Sequence, residues 1–92
     1  MQTNMDDQNI LAPLAHAVRS RRRALNLTQA QVSDLAGVGP VFVHHLETGK
    51  PTLQFQKILD VLAVLGLGLA VDASRTPLRV TDGLSATLER DA

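Results

Sequence analysis

The chain has 92 residues, carries no cysteine and has a formal net charge of zero, with nine basic and nine acidic side chains. This length suits one small domain, and the lack of cysteine excludes disulfide bonds and thiolate metal sites. Two phenylalanines are its only Phe, Tyr or Trp residues, too few for a platform that stacks the bases of single-stranded nucleic acid. The longest apolar run, 61–71, is too short to cross a bilayer.

The first predicted helix covers about residues 11–25, where apolar side chains recur at steps of three and four. Pro13 is tolerated in its first turn, and Asn26 favours the left-handed conformation that ends a helix. The recurring face comprises Leu11, Leu14, Ala15, Val18, Arg22 and Leu25. A charged Arg22 on an otherwise apolar face requires a partner inside the fold.

The second predicted helix begins after Thr28, a residue type that caps helices well, and ends near Ala36. Val32 and Leu35 are expected to point into the core. Gly37 then permits a tight turn before the next helix.

The third predicted helix has Gly39 as its cap and Pro40 in its first position, and Gly49 ends it. One face is expected to join the core and comprises Gly39, Phe42, Val43 and Leu46. The opposite face is expected to meet solvent or a groove and comprises Pro40, Val41, His44, His45 and Thr48.

A fourth helix is predicted over 53–65, and Gly66 ends it. Its inward residues are expected to be Phe55, Ile58, Leu59, Leu62 and Leu65. Residues 67–72 alternate, with Leu67, Leu69 and Val71 on one face, which predicts a short strand. Since a single strand leaves its backbone groups unpaired, we expect it to pair with the same strand of a second copy about a two-fold axis.

The predicted organisation has four parts. Residues 1–9 form a flexible N-terminal tail, 10–66 an all-α domain of four to five helices, 67–72 a dimerisation strand, and 73–92 a weakly ordered tail with at most a brief strand at 78–81. The first ten residues hold two acids and no base, unlike a secretory signal, so we expect a cytoplasmic protein with no membrane partner.

The charges are unevenly distributed along the sequence. Residues 9–58 carry six basic and two acidic side chains, a net charge of +4, whereas residues 59–92 carry three basic and five acidic ones. This asymmetry is expected when one part of a protein faces phosphates and another part does not. Two short helices joined by a glycine turn are typical of a helix-turn-helix, whose second helix lies in the DNA major groove.

The candidate DNA contacts follow from that placement. Phosphate contacts are expected at the start of the second helix, on the outer face of the first helix and after the third helix, from Arg21, Arg23, Thr28, Gln29 and Lys50. Base contacts are expected from Val41, His44 and His45, because valine packs on a thymine methyl and histidine can donate to or accept from base edges. A solvated helix face is the alternative for the two histidines, and the sequence leaves it open.

Arg22 and Glu47 are expected to form a buried ion pair between the first and third helices, which is a structural role and not a DNA contact. A metal site at His44, His45 and Glu47 is not expected, since adjacent histidines diverge on a helix and the His-Glu-x-x-His spacing is absent. No nucleophile or phosphate-loop motif is present either. We therefore expect no enzymatic activity, no cofactor and no metal.

The segment LNLTQAQVSDLAGVGPVFVHHLETGK resembles the phage-repressor or Cro-type (XRE) helix-turn-helix family, over about residues 11–66. The matching positions are Gln29, Val32, Gly37, Val38, Val43, Leu46, Glu47 and Gly49. The resemblance implies that Gln29 opens the second helix against a phosphate and that Arg22 pairs with Glu47.

Residues 37–72 are similar to a narrower group, the HipB-type antitoxins of type II toxin-antitoxin systems. This similarity implies a homodimer on a palindromic operator, bound at the bacterial nucleoid, a HipA-type Ser/Thr kinase toxin as partner, and repression of its own operon. Ser33, Pro40 and Val41 depart from the family pattern, and the last two shift the expected readout towards the histidines and DNA shape. A free-standing repressor without a toxin, or a module that mainly neutralises an enzyme, remain alternatives.

Overall fold

Five helices make up the part of the chain that the computed structural model describes, residues 9–91 without the Asp91 side chain. They are α1 (Ala12–Ala24), α2 (Gln29–Ala36), α3 (Phe42–Glu47), α4 (Phe55–Val64) and α5 (Asp82–Asp91). The α1 helix packs on α3 and α5, while α2 packs on α3 and α4. Within residues 9–91 no helix is long and apolar enough to traverse a membrane.

Local hydrogen bonds explain where α2 begins and ends. The Thr28 hydroxyl accepts from the Gln31 amide at 3.0 Å, and the Gln31 side chain accepts from the Thr28 amide at 2.8 Å. This reciprocal arrangement satisfies two backbone donors that a helix start leaves open. At the other end Gly37 has φ 71° and the Val38 amide donates to the Ser33 carbonyl, so the chain reverses at once into the turn before α3.

The core lies between the first four helices. Its most deeply buried apolar side chains are Val18, Val32, Val43, Leu46, Val61, Leu62 and Leu65. Full burial of each such side chain stabilises the fold by about 1.5–3 kcal/mol. The helical periodicity of α1 and α4 therefore places their apolar faces against the short α2 and α3 helices and fixes how those two are presented.

Leu35 and Phe55 were predicted to point inward, and both predictions are wrong. Leu35 is 65% exposed and Phe55 is 62% exposed. The buried face of α2 runs through Val32 and Ser33, about 100° apart on the helix, and Leu35 falls outside it. Phe55 is the first helical residue of α4 and lies at the edge of the face that Ile58 and the later apolar residues bury.

Leu25 was also assigned to the inner face of the first helix, and the structure corrects this. It is the residue that ends α1, and its side chain is exposed. Gly39 is likewise exposed and not part of the core, because α3 begins two residues later than expected, at Phe42.

The structure does not support the predicted strand over 67–72 or the dimer pairing that rested on it. Residues 9–91 contain no strand. The Leu67 amide donates to the Leu62 carbonyl at 2.8 Å and completes the end of α4. Beyond it Val71 is fully exposed, since a single chain offers no neighbouring strand on which alternating apolar residues can pack.

The C-terminal residues also differ from the prediction of a weakly ordered tail with a brief strand at 78–81. They form α5, where Thr81 lies at the helix start and the Ser85 amide donates to its carbonyl at 2.9 Å. Leu84 and Leu88, four residues apart, face the body, and Leu88 is buried. Thr81 as a capping residue, followed by leucines at 84 and 88, is a helix signal, and the prediction of a weakly ordered tail did not take it into account.

Candidate nucleic-acid interface

The α3 helix has one buried and one outward face. Phe42, Val43 and Leu46 are buried against the core. On the other face Val41 and His44 are exposed and His45 is half-buried, with 6.0 Å between the two imidazole centroids. The residues predicted to contact bases therefore lie together on the solvent side of the helix.

A hydrogen-bonded ion pair joins the end of α1 to the end of α3. Arg22 Nε donates to Glu47 Oε2 at 2.6 Å and Arg22 Nη2 donates to Glu47 Oε1 at 3.0 Å. The third donor, Arg22 Nη1, reaches the Leu27 carbonyl at 2.8 Å. The two side chains are only 11% and 3% exposed. The two parallel hydrogen bonds between Arg22 and Glu47 therefore form away from solvent, and their geometry is tightly defined.

The hydrogen bonds that Arg22 donates to Glu47 raise the pKa of Arg22 above its already high ordinary range, against the opposing effect of burial. On the side of Arg22, the stabilisation that follows from a raised pKa is fully present below the pKa of the unfolded chain and is lost only as the pH rises through the folded-state value. The guanidinium is therefore charged at any pH at which the protein is handled.

Gln29 joins the same network, a contact that the sequence analysis did not anticipate. Its Nε2 donates to Glu47 Oε1 at 3.0 Å. An amide nitrogen carries two hydrogens, so this bond holds the side chain while a second N–H remains for another acceptor. Glu47 of α3 thus accepts hydrogen bonds from Arg22 of α1 and from Gln29 at the start of α2. These bonds hold α2 and α3, the two helices of the motif, in register.

Arg21 was expected on the DNA side, and the structure gives it an internal contact. Its Nε donates to the Leu65 carbonyl at 2.9 Å. Carbonyls at the end of a helix lack helical partners, so this bond caps α4 and ties it to α1. Arg23 and Lys50 are exposed, and the Lys50 amide donates to the His45 carbonyl just after α3.

Gly49, just after α3, lies where the structure has no room for a side chain. Its φ is 76°, and a Cβ added there would lie 2.7 Å from Asn9 Nδ2. The Asn9 side chain in turn accepts from the Leu11 amide at 3.0 Å. The residues that lead into α1 therefore lie directly against the end of α3, and a side chain at position 49 would separate them.

Thr28 caps α2 beside Gln29, whereas Leu67, Leu69 and Val71 belong to the segment after α4 and join none of these contacts.

Among residues 9–91, no three His, Asp or Glu side chains converge as metal ligands would. The structure thus joins α2 and α3 into one hydrogen-bonded unit. Its outer face is exposed and mostly uncharged, and cationic side chains lie nearby.

Comparison with known proteins agrees with this geometry. Residues 13–74 match the model of the family described as "Helix-turn-helix domain". The chain belongs to the helix-turn-helix family. Over 60 residues it is also 42% identical to y4mF of Sinorhizobium fredii, described as an uncharacterized HTH-type transcriptional regulator, with 65% of this chain and 79% of that protein covered. No solved structure matches.

Family membership confirms the sequence-based prediction at the level of the helix-turn-helix domain, and it supports DNA binding and transcription regulation as the class of function.

Proposed function

We propose that the protein is a sequence-specific transcriptional repressor that binds a palindromic operator as a homodimer and acts in the bacterial cytoplasm, at the nucleoid. The observation that carries this proposal is the arrangement of α3. Its inner face is buried, its end is held by the Arg22–Glu47 pair, and its outer face presents Val41 and His44. A rigid helix with one free face is the element that a major groove accepts.

Phosphate contacts would come from the start of α2 and from the cationic side chains nearby. Glu47 holds the Gln29 amide so that its second N–H is available, and the Thr28 hydroxyl accepts internally but retains its own proton to donate. Arg23 and Lys50 add exposed positive charge. Arg21 contributes less in this proposal, because its Nε is bound to the Leu65 carbonyl.

Base readout falls to Val41, His44 and His45 in this proposal. Valine would pack on a thymine methyl, and each imidazole would donate to or accept from a base edge. An apolar Pro40–Val41 start leaves few hydrogen bonds for direct readout. Sequence-dependent DNA shape would supply part of the specificity.

A homodimer matches the two-fold symmetry of a palindrome, with the two α3 helices roughly 34 Å apart in successive major grooves. The segment after α4 leaves Leu69 and Val71 exposed, and a second copy of the chain would cover these side chains in the dimer.

The finer proposal is that this repressor is an antitoxin. It rests on the similarity of residues 37–72 to HipB-type antitoxins, and it predicts a HipA-type Ser/Thr kinase toxin as partner and joint repression of their operon. A free-standing repressor without a toxin is the alternative. An affinity-tagged chain purified from its own host separates them: a stoichiometric protein kinase, identified by mass spectrometry and inhibited by this chain, supports the antitoxin, and a partner-free operator-binding dimer supports the alternative.

The DNA-binding proposal is tested by measuring affinity for the chain's own promoter. His44→Ala and His45→Ala should each keep the fold and weaken specific binding about fivefold or more, since a good base contact is worth about 1–3 kcal/mol. His16→Ala, the same substitution at an exposed position of α1, is the matched control and should bind like the parent. If both α3 variants bind as tightly as the control, the assignment of base contacts is wrong.

A further inference from the structure

A cavity of about 190 Å³ lies between α1, α4 and the segment that leads into α5. Its lining is mainly apolar and includes Leu14, Ala17, Leu62, Leu67, Leu78 and Leu84. None of these residues belongs to the outer face of α3 or to the Arg22–Glu47–Gln29 network. The proposed DNA contacts therefore do not use this space.

The volume and lining indicate what the cavity accepts. Enclosed apolar cavities of about 150 Å³ remain free of water and bind benzene, because water needs two to four polar partners to enter. The cavity here has a similar volume and leucines from α1, α4 and α5 on its inner wall, but it opens partly to solvent, where Ala70, Thr76 and Pro77 are exposed. Water at the leucine wall finds few polar partners, so an apolar ligand that displaces this water gains apolar burial.

The charged groups of the lining favour an uncharged ligand. Arg79 Nη2 donates to the Asp72 carboxylate, and both side chains are about half exposed to solvent. Since these two charges already neutralise each other, the site offers no unpaired charge to an ionic ligand. Thr76 and Thr81 supply the remaining polar character through their hydroxyls.

We propose that this cavity binds a small uncharged apolar molecule, about the size of a single six-membered ring. The ligand would contact α1, α4 and α5 at the same time and so stabilise the docking of α5 on α1. This adds a small-molecule site to the protein and holds whether or not the chain binds an operator.

Methyl NMR of the full chain, labelled at its Leu and Val side chains and titrated with benzene, tests the proposal. Saturable shifts are expected at Leu14, Leu62, Leu67, Leu78 and Leu84, while Val32 and Val43 in the helix-turn-helix core stay unchanged. Benzene should also raise the Tm, because a ligand that binds only the folded state stabilises it.

Two substitutions that fill the cavity sharpen the test. Ala70 and Thr76 line it from exposed positions, so Ala70→Leu and Thr76→Leu reduce its volume without altering the core. Each should weaken benzene binding by about tenfold or more. Ala63→Leu, at an exposed position of α4 that does not line the cavity, is the matched control and should bind like the parent.

Three results would overturn the proposal. They are the absence of saturable shifts in the parent, equal affinity in the filled variants and the control, and shifts of the lining methyls that follow protein concentration without benzene. The last result would mean that a second copy of the chain occupies the cavity. Unchanged Val32 and Val43 signals in the filled variants establish that those variants are folded.

Discussion

The two parts of the described chain are held together by different means. Residues 9–66 combine a shared apolar core with polar contacts that span the helices, of which the Arg22–Glu47–Gln29 network is the most buried. Residues 67–91 attach through α5, where Leu88 is buried and Leu84 half-buried against α1, with a cavity alongside. The proposed recognition surface thus belongs to the part that both apolar packing and buried polar contacts hold together, whereas the second part is held by apolar contacts, including those of Leu67 and Leu78 with the core.

The largest effect is expected where the network is broken. Glu47→Ala leaves the Arg22 guanidinium without its carboxylate in a largely desolvated site, which costs about 3–5 kcal/mol. Urea unfolding followed by circular dichroism should show a correspondingly lower midpoint. Glu89→Ala, at an exposed position of α5, provides the control and should change the midpoint little.

An unchanged unfolding midpoint for Glu47→Ala would mean that the network does not hold the motif. The difference between the two regions would then reduce to apolar packing alone.

An intermediate effect is expected at the docking of α5. Leu88→Ala removes the buried side chain of this helix and should cost about 2 kcal/mol, the lower end for a core leucine, because Leu88 lines a second, solvent-open pocket that Pro13 and His16 of α1 also line. Hydrogen exchange should accelerate over 82–91 and remain slow in α1 to α4. Leu35→Ala, at an exposed leucine of α2, is the control.

Faster exchange throughout 9–91 in Leu88→Ala would show that the two parts unfold as one cooperative unit. That result would remove the contrast between the two parts.

The smallest effect is a gain in stability at Ser33. Its hydroxyl is buried without a hydrogen-bond partner among the described residues, within a helix where alanine is more favourable. Ser33→Ala should therefore raise the free energy of unfolding by about 1 kcal/mol. Ser85→Ala, at a half-buried position inside α5, separates the gain in helix propensity from the effect of removing a buried hydroxyl.

If Ser33→Ala instead lowers the free energy of unfolding, the Ser33 hydroxyl has a hydrogen-bond partner and is not an unsatisfied group in α2.

Much of the helix-turn-helix follows from local sequence signals. Thr28 with Gln31 three residues later specifies the start of α2, and the glycines at 37 and 49 supply the left-handed conformations that end α2 and follow α3. The pairing of Arg22 with Glu47 was also predicted, because a charge on an apolar face needs a partner. These features depend on few residues, which explains why they were accessible without a structure.

Other features depend on tertiary packing and were missed. The bond from Gln29 to Glu47 and the contact of Asn9 with Gly49 join residues 18 and 40 positions apart, and no local pattern reports them. The exposure of Leu35 and Phe55 depends on which faces neighbouring helices cover. The absence of a strand at 67–72 reflects a need for a second strand that alternation alone does not supply.

If the proposed function is right, DNA contacts the outer face of α3 and the start of α2. Backbone-amide NMR of the full chain, titrated with a DNA fragment from its own promoter, measures these contacts residue by residue. We expect the largest shifts at residues 28–29 and 41–50, with α5 nearly unchanged. Shifts concentrated in residues 67–91, with α3 unaffected, would contradict it.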